Sequence, residues 1–447
     1  MYFLGVLFVA LGIGASIALH EVGHLLPAKR FGVKVTQYMV GFGPTIWSRK
    51  RGDTEYGLKV VPLGGYIRMI GMFPPKPGSD PSMLRASSTG RFSQLMDQAR
   101  EESMEQVRPG DEDRVFYKLS TPKKLVVMLG GPTMNLLIAV VLLGGIFTLY
   151  GIGEITSRVS AVSQCVQAVP AAGKAPATCT TSDPQAPANV AGIRPGDRII
   201  SLAGQPVSSW EDVRALVRPN GGRQIKVVVE RDGRQVALTA TPILNDVQRV
   251  DADGNAVVGP DGKTLTDRVG FMGFSPSAEI VKQPLAAVPA LIGSQVARTA
   301  GVVLRIPQKM VGIAKAAFGN GVRDPNGPMS VVGVGRVAGE VADGQLSGVA
   351  DSGASKFVVL ISLIASLNLA LFVFNLIPLL PLDGGHAAGA LWEGLKRQVA
   401  KLRGRPNPGY VDVAKALPVA YAVSIALIGM SVLLIYADVV NPIKVGG

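Results

Sequence analysis

Two of the chain's three histidines stand four residues apart, in His20-Glu21-Val22-Gly23-His24. On an α-helix residues i and i+4 share one face, so both imidazoles reach a single metal ion. A glutamate beside such a pair is placed to act as general base toward a water that the ion acidifies, which is the arrangement of a hydrolytic zinc site. The string lies within an apolar stretch, where ionisable groups are costly and mark function. The competing reading is a pair of histidines satisfied by helix–helix hydrogen bonds.

A catalytic zinc ion takes three protein ligands and keeps a fourth position for water. No histidine follows soon after His24, and Glu55 falls in a predicted cytoplasmic hairpin. Asp383 is the better candidate. It ends the uncharged stretch Phe357 to Leu382, at about the distance from the cytoplasm of His20 and His24. Its setting is Asn375-Leu376-Ile377-Pro378-Leu379-Leu380-Pro381-Leu382-Asp383-Gly384-Gly385. The prolines and glycines break the helix, and non-helical backbone at membrane depth is tolerated where it lines a cavity. The competing reading of Asp383 is a helix-end aspartate at the interface. Asn135, in Gly130-Gly131-Pro132-Thr133-Met134-Asn135, is placed to bind substrate or a developing oxyanion, or to join two helices. His386 reads as a supporting or interfacial histidine rather than a ligand.

The elements that must position these groups are read from composition. Of 447 residues, 47% are hydrophobic and 17% charged, where a soluble domain has about a quarter charged. Four stretches carry almost no charge: Met1 to Ala28, broken only by Glu21, then Leu125 to Gly153, Phe357 to Leu382 and Ala416 to Ala437. Each exceeds the roughly 20 residues that cross a bilayer, whereas buried core helices are shorter. The net charge of +13 does not indicate nucleic acid, because the cations cluster at the span ends. Within about 15 residues of the spans, Lys29, Arg30, Lys34, Arg114, Lys118, Lys123, Lys124, Lys396, Arg397, Lys401, Arg403, Arg405 and Lys415 fall on one side. Only Arg158, Lys356 and Lys444 fall on the other. The first side is therefore cytoplasmic and both termini are extracytoplasmic. The first span has no basic start and no small-residue cleavage site, so it reads as a span and not as a removable signal.

Between the spans the character changes. Lys34–Val40 and Glu55–Val61 read as short strands around the turn Arg51-Gly52-Asp53. Their apolar side chains (Tyr38, Met39, Val40, Phe42, Ile46, Trp47) suggest a β region that dips into the membrane. Pro74, Pro75, Pro77 and Gly78 form a linker, and Ser93 to Val107 reads as a polar helix. Residues 154–245 form a globular α+β domain whose Gly192-Ile193-Arg194-Pro195-Gly196-Asp197-Arg198-Ile199 resembles the signature of a PDZ domain in permuted order. Such domains bind extended peptides at a sheet edge. Cys165 and Cys179 lie in an insertion of that domain, on the oxidising side, where a disulfide is expected; closing such a loop contributes about 3 kcal/mol. Gln283–Ala297 is apolar but short, and is expected in the interface. Asp324-Pro325-Asn326-Gly327-Pro328 reads as a turn.

Taken together, His20-Glu21-x-x-His24 in a first span, Asn375-x-x-Pro378 and Leu382-Asp383-Gly384 in a later one, and a PDZ domain between resemble the site-2 protease family of intramembrane zinc metalloproteases, in its bacterial regulator-of-sigma-E protease type. Gly41-Phe42-Gly43-Pro44 and Pro62-Leu63-Gly64-Gly65-Tyr66 resemble the family's membrane-associated β region, and Gly327-Pro328-Met329-Ser330 a stretch before its third span. The resemblance implies one zinc ion on His20, His24 and Asp383, activation of water by Glu21, and Asn375 holding the substrate strand. It implies single-span membrane substrates, such as anti-sigma factors already shortened by a first protease. The enterobacterial type has two PDZ domains. The single domain here, with its insertion, is closer to enzymes of high-GC Gram-positive bacteria.

The expectation is a polytopic α-helical protein of the bacterial cell membrane. The first span and its HExxH occupy 1–28, the cytoplasmic β region 29–72, a cytoplasmic linker and helix 73–122, and the second span 123–153. An extracytoplasmic PDZ domain occupies 154–245 and a connecting region 246–355. The third span lies at 356–390, a cytoplasmic loop at 391–415 and the fourth span at 416–438. Expected partners are the bilayer and a membrane protein substrate, with no nucleic acid.

Overall fold

A computed structural model describes residues 1–75, 98, 100, 103, 107–166, 179–180, 182–249, 257, 265–319, 323–324, 327–345 and 352–443. Pro77 and Gly78 of the expected linker, nearly all of the expected helix Ser93–Val107, and Pro325 and Asn326 of the expected turn lie outside them. The chain divides into two compact units, Met1–Leu149 with Pro284–Gly447, and Tyr150–Gln283.

The first unit is built on long apolar helices. Among the described residues five are long and apolar enough to cross a membrane: Tyr2–Arg30, Thr121–Tyr150, Leu285–Leu304, Gly353–Asn375 and Val413–Val440. Their outward faces carry bare Phe3, Leu7, Leu11, Leu137, Val141, Ile425, Ile428 and Val432. That much exposed apolar surface needs hydrocarbon rather than water around it, so this is a multi-pass membrane protein. Leu285–Leu304 is longer than the sequence reading of Gln283–Ala297. Its apolar residues continue through Val302, Val303 and Leu304, and the lone Arg298 does not end the helix.

The expected third span also differs. The helix Gly353–Asn375 stops before Pro378, and a new helix runs Asp383–Leu402. A proline has no N–H to continue a helix, and one just before the next helix leaves its first turn free to start. The second helix is amphipathic rather than a loop: Ala387 and Ala390 are buried while Lys396 and Lys401 face outward.

The hairpin of β1 (Val35–Arg51) and β2 (Thr54–Met69) is longer than the two strands expected, because each strand pairs twice. Residues 37–40 of β1 lie opposite both 55–58 and 65–68 of β2, and Thr45–Arg51 folds back against Thr54–Lys59. The result is a four-segment sheet from two bent strands. Gly41, at φ +96°, lies where an added Cβ would meet the carbonyls of Val61 and Lys59, so the bend needs glycine.

The second unit holds a sheet in the order β10 (Phe274–Val281), β3 (Ile152–Val162), β4 (Arg198–Leu202), β6 (Ile225–Arg231) and β7 (Arg234–Ala240), with the short β5 (Gln205–Pro206) beside β4. A separate pair joins β8 (Ile243–Gln248) to β9 (Thr266–Phe271). The helix Trp210–Val217 is closed by a capping box of Ser209 and Asp212 and packs its Val213 and Val217 into the core with Ile199, Leu202, Val227 and Val229. Cys165 and Cys179 form a disulfide.

Candidate metal centre

The histidine helix Tyr2–Arg30 and the asparagine helix Thr121–Gly145 approach closely at glycines. A Cβ on Gly23 would strike the Gly130 carbonyl, and one on Gly130 the Gly23 carbonyl. Small residues that let backbones touch are how apolar helices associate where no hydrophobic force separates them from lipid. The next glycine, Gly131, leaves open the space in front of the imidazoles: a Cβ there would collide with Nε2 of both His20 and His24.

Asp383 is the first residue of its helix, where the positive end of the helix dipole favours a carboxylate. Gly384 and Gly385 let the preceding loop fold onto this first turn, since a Cβ on either would strike backbone of Leu376, Ile377, Leu379 or Leu380. Further along, Glu393 accepts two hydrogen bonds of 2.9 Å from Lys124 of the asparagine helix, and both side chains are buried. Arg397, at 2.9 Å, and the Val411 N–H, at 3.1 Å, complete the Glu393 carboxylate. A buried charge so fully paired fixes one register between the two helices.

These contacts bring three donor atoms to a point. His20 Nε2 and His24 Nε2 are 3.2 Å apart, and each is 3.3 Å from Asp383 Oδ2. His24 Nδ1 lies 2.7 Å from the Val127 carbonyl, which can only accept, so Nδ1 carries the proton and Nε2 presents a lone pair. Asp383 Oδ2 is buried without a hydrogen-bond partner. With both Nε2 atoms unprotonated, three lone pairs converge and repel, a conflict that a cation resolves. The distances suit zinc: a tetrahedron with bonds of about 2.0–2.1 Å has edges of about 3.3–3.4 Å. Three donors make one face and leave the fourth vertex open.

Glu21 is 8% exposed and stands against the outer segment of β2. A Cβ on Gly65 would meet its Cγ, and the Ile67 backbone hydrogen-bonds its carboxylate. Tyr38 Oη donates to the Ala18 carbonyl at 2.8 Å, fastening the sheet to the histidine helix one turn away.

Asn135 is 1% exposed and reaches His20 rather than an open cleft, with Nδ2 placed 3.1 Å from His20 Nδ1 while its own Oδ1 is left without a partner. Turning the amide over puts Oδ1 on an Nδ1–H and frees His20 Nε2 as a ligand; amide orientation is assigned from such networks. Asn375, half-buried at the end of its helix, makes no side-chain hydrogen bond among the described residues. His386 belongs to a cavity lined by Phe116, Lys124 and Glu393 and is not one of the three residues whose donor atoms converge. The sequence reading did not single out Gly131 or Val127: a missing side chain and a backbone carbonyl carry no residue-type signal.

The comparisons agree with this chemistry. The family described as Peptidase family M50 matches residues 8–418. The zinc metalloprotease Rip1 of Mycobacterium tuberculosis is 35% identical over 453 aligned positions, spanning 99% of this chain and 99% of the relative. The protein of the same name from Mycolicibacterium smegmatis is 32% identical over 457 positions, spanning 100% and 99%.

Proposed function

The chain belongs to peptidase family M50 and is a zinc metalloprotease, and from that premise we propose that it cuts single-span membrane proteins within or near the bilayer, with His20, His24 and Asp383 as its zinc ligands and Glu21 as its base. The observation that carries this is the triangle of His20 Nε2, His24 Nε2 and Asp383 Oδ2, with 3.2–3.3 Å edges, among apolar helices.

What zinc supplies when bound is Lewis acidity, which polarises a carbonyl and brings the pKa of a water towards about 7. The side chains do the rest. Val127 and Asn135 hold the two imidazoles with Nε2 forward. Glu21 takes the proton of the attacking water and delivers it to the leaving amine. A helical substrate hides its carbonyls, so it must unwind. The outer segment Gly65–Met69 of β2, beside Glu21, offers an edge along which an extended strand lies. Asn375, at the broken end of Gly353–Asn375, is assigned to hold that strand.

The second unit is assigned as an extracytoplasmic PDZ domain. In support, the helix Trp210–Val217 and the segment Gly270–Phe274 line an apolar cavity of about 180 Å³, suited to the side chain of a bound peptide. Four crossings, both termini outside the bacterial cell membrane, and an anti-sigma factor already shortened by a first protease complete the reading.

The test is zinc content and cleavage of a single-span substrate, measured together on purified protein. Glu21→Gln should keep zinc and lose cleavage by at least about 10²-fold. Asp383→Ala should lose both. Turnover by Glu21→Gln at the wild-type rate sinks the mechanism. Zinc retained by Asp383→Ala places the third ligand elsewhere.

A further inference from the structure

Among the described residues the segment Thr45–Arg51 is an outer strand, paired on one side only, with Thr54–Lys59. Beside it opens a cavity of about 700 Å³ lined by Lys29, Trp47, Arg49, Lys50, Arg51 and Tyr56. Four cations and two aromatic rings wall it and, among the described residues, no carboxylate does. Of the nearby acids, Asp53 pairs with Arg114 at 2.6 Å, and Glu55 accepts from Gln37 at 3.3 Å while lying opposite Lys50 across the strand pair. Among the described residues, Arg49, Lys50 and Arg51 have no carboxylate at ion-pair distance. Lys29 Nζ donates to Tyr56 Oη at 2.7 Å and sits over its ring, so the cavity is joined to the end of the histidine helix.

That junction sets its depth. From Tyr2 to Lys29 a helix rises about 40 Å, more than the roughly 30 Å of hydrocarbon, so Lys29 stands at headgroup level. Along the same hairpin Phe42, Ile46, Leu58 and Val60 are bare, Ile46 being 68% exposed. Apolar residues on one stretch, tryptophan and tyrosine at its border and cations beyond them are the order in which a protein meets a bilayer surface. Cations on a strand edge also guard against edge-to-edge pairing, but that role calls for neither a walled cavity nor its aromatic lining.

We propose that this basic cavity takes the phosphate of an anionic phospholipid headgroup and ties the hairpin to the bilayer surface. The leaflet on the side of the positive loops carries the negative surface potential. A zwitterionic headgroup brings its own ammonium, which the cations of the cavity repel.

The full-length protein with Trp210→Phe and Trp392→Phe keeps Trp47 as its one tryptophan. It is placed in nanodiscs of phosphatidylcholine, with an equal share of either brominated phosphatidylglycerol or brominated phosphatidylcholine, and quenching of Trp47 is read. The brominated anionic lipid should quench more. Its preference should fall about fivefold for each of Arg49→Gln, Lys50→Gln and Arg51→Gln, weaken as salt is raised and survive added inorganic phosphate. Zinc content at the wild-type level shows that each variant is folded. Equal quenching by the two lipids, a preference unchanged when Arg49→Gln, Lys50→Gln and Arg51→Gln are combined, or a preference indifferent to salt overturns the proposal. Loss of the preference to inorganic phosphate alone makes the cavity a small-anion site and overturns it too.

Discussion

At the scale of single residues, the candidate centre depends on the groups that orient its two imidazoles. His24 is oriented by a backbone carbonyl, which mutation cannot remove, whereas among the described residues His20 Nδ1 meets only Asn135. Groups that orient a metal ligand are worth about 10–100-fold in metal affinity. Asn135→Ala should therefore weaken zinc binding by about that factor and lower activity chiefly at limiting zinc. Titration against a competing chelator checks it. Full activity loss with wild-type zinc affinity would instead put Asn135 on the substrate or its oxyanion. The spacing of His20 and His24 was legible because an i, i+4 pair is a local pattern. Asp383 was legible for another reason: in a stretch stripped of charge, the first carboxylate stands out. The contact of Asn135 with His20 crosses 115 residues of sequence and follows from Gly23 and Gly130, which bring the helices together; the sequence offered a helix-joining role for Asn135 but could not name its partner.

Single elements show where periodicity fails. Each bent strand of the β1–β2 hairpin pairs on both of its halves. Its apolar pattern therefore predicted two short strands where the chain makes four segments. In the second unit the turn before β4 is easier to read, because Asp197 has one function in it. Burial alone would push its carboxyl up, but Arg231, with hydrogen bonds of 2.8 and 2.7 Å, and the Arg194 N–H hold it below the ordinary aspartate range. The unfolded carboxyl titrates near 3.9. A group depressed in the folded state stabilises fully above that pH and loses its contribution as pH falls through the folded value. Asp197→Asn should lower the stability of this unit by about 2 kcal/mol at neutral pH and blunt its loss of stability below about pH 4. Hydrogen exchange of the β4 and β6 amides in the full chain, at neutral pH and near pH 3, reads both effects. An acid response identical to wild type would assign that pH dependence to other carboxylates.

For the whole molecule, the metal centre constrains how the chain threads the bilayer. Five helices are apolar enough to cross, while the charge pattern of the sequence asks for four crossings. The histidines sit near the Arg30 end of the first helix, the end flanked by Lys29 and Lys34, and the asparagine helix returns from that side. If Leu285–Leu304 crossed fully, Gly353–Asn375 would run the opposite way and carry Asp383 to the far surface. The helices between, Ile306–Phe318 and Val331–Asp343, have 13 residues each, about 20 Å apiece, too short to cross back. Yet Asp383 Oδ2 lies 3.3 Å from His24 Nε2. The four-crossing reading therefore keeps Leu285–Leu304 on one side, bedded in the interface despite its length. This predicts opposite accessibility for two exposed positions, tested as single cysteines in a chain lacking Cys165 and Cys179. Gln308→Cys should react with a membrane-impermeant maleimide on intact cells, and Arg403→Cys only after the membrane is opened. Protection of Gln308→Cys until permeabilisation would make Leu285–Leu304 a true crossing, and the third ligand would then have to reach the histidines by a path other than the one the four-crossing arrangement gives it.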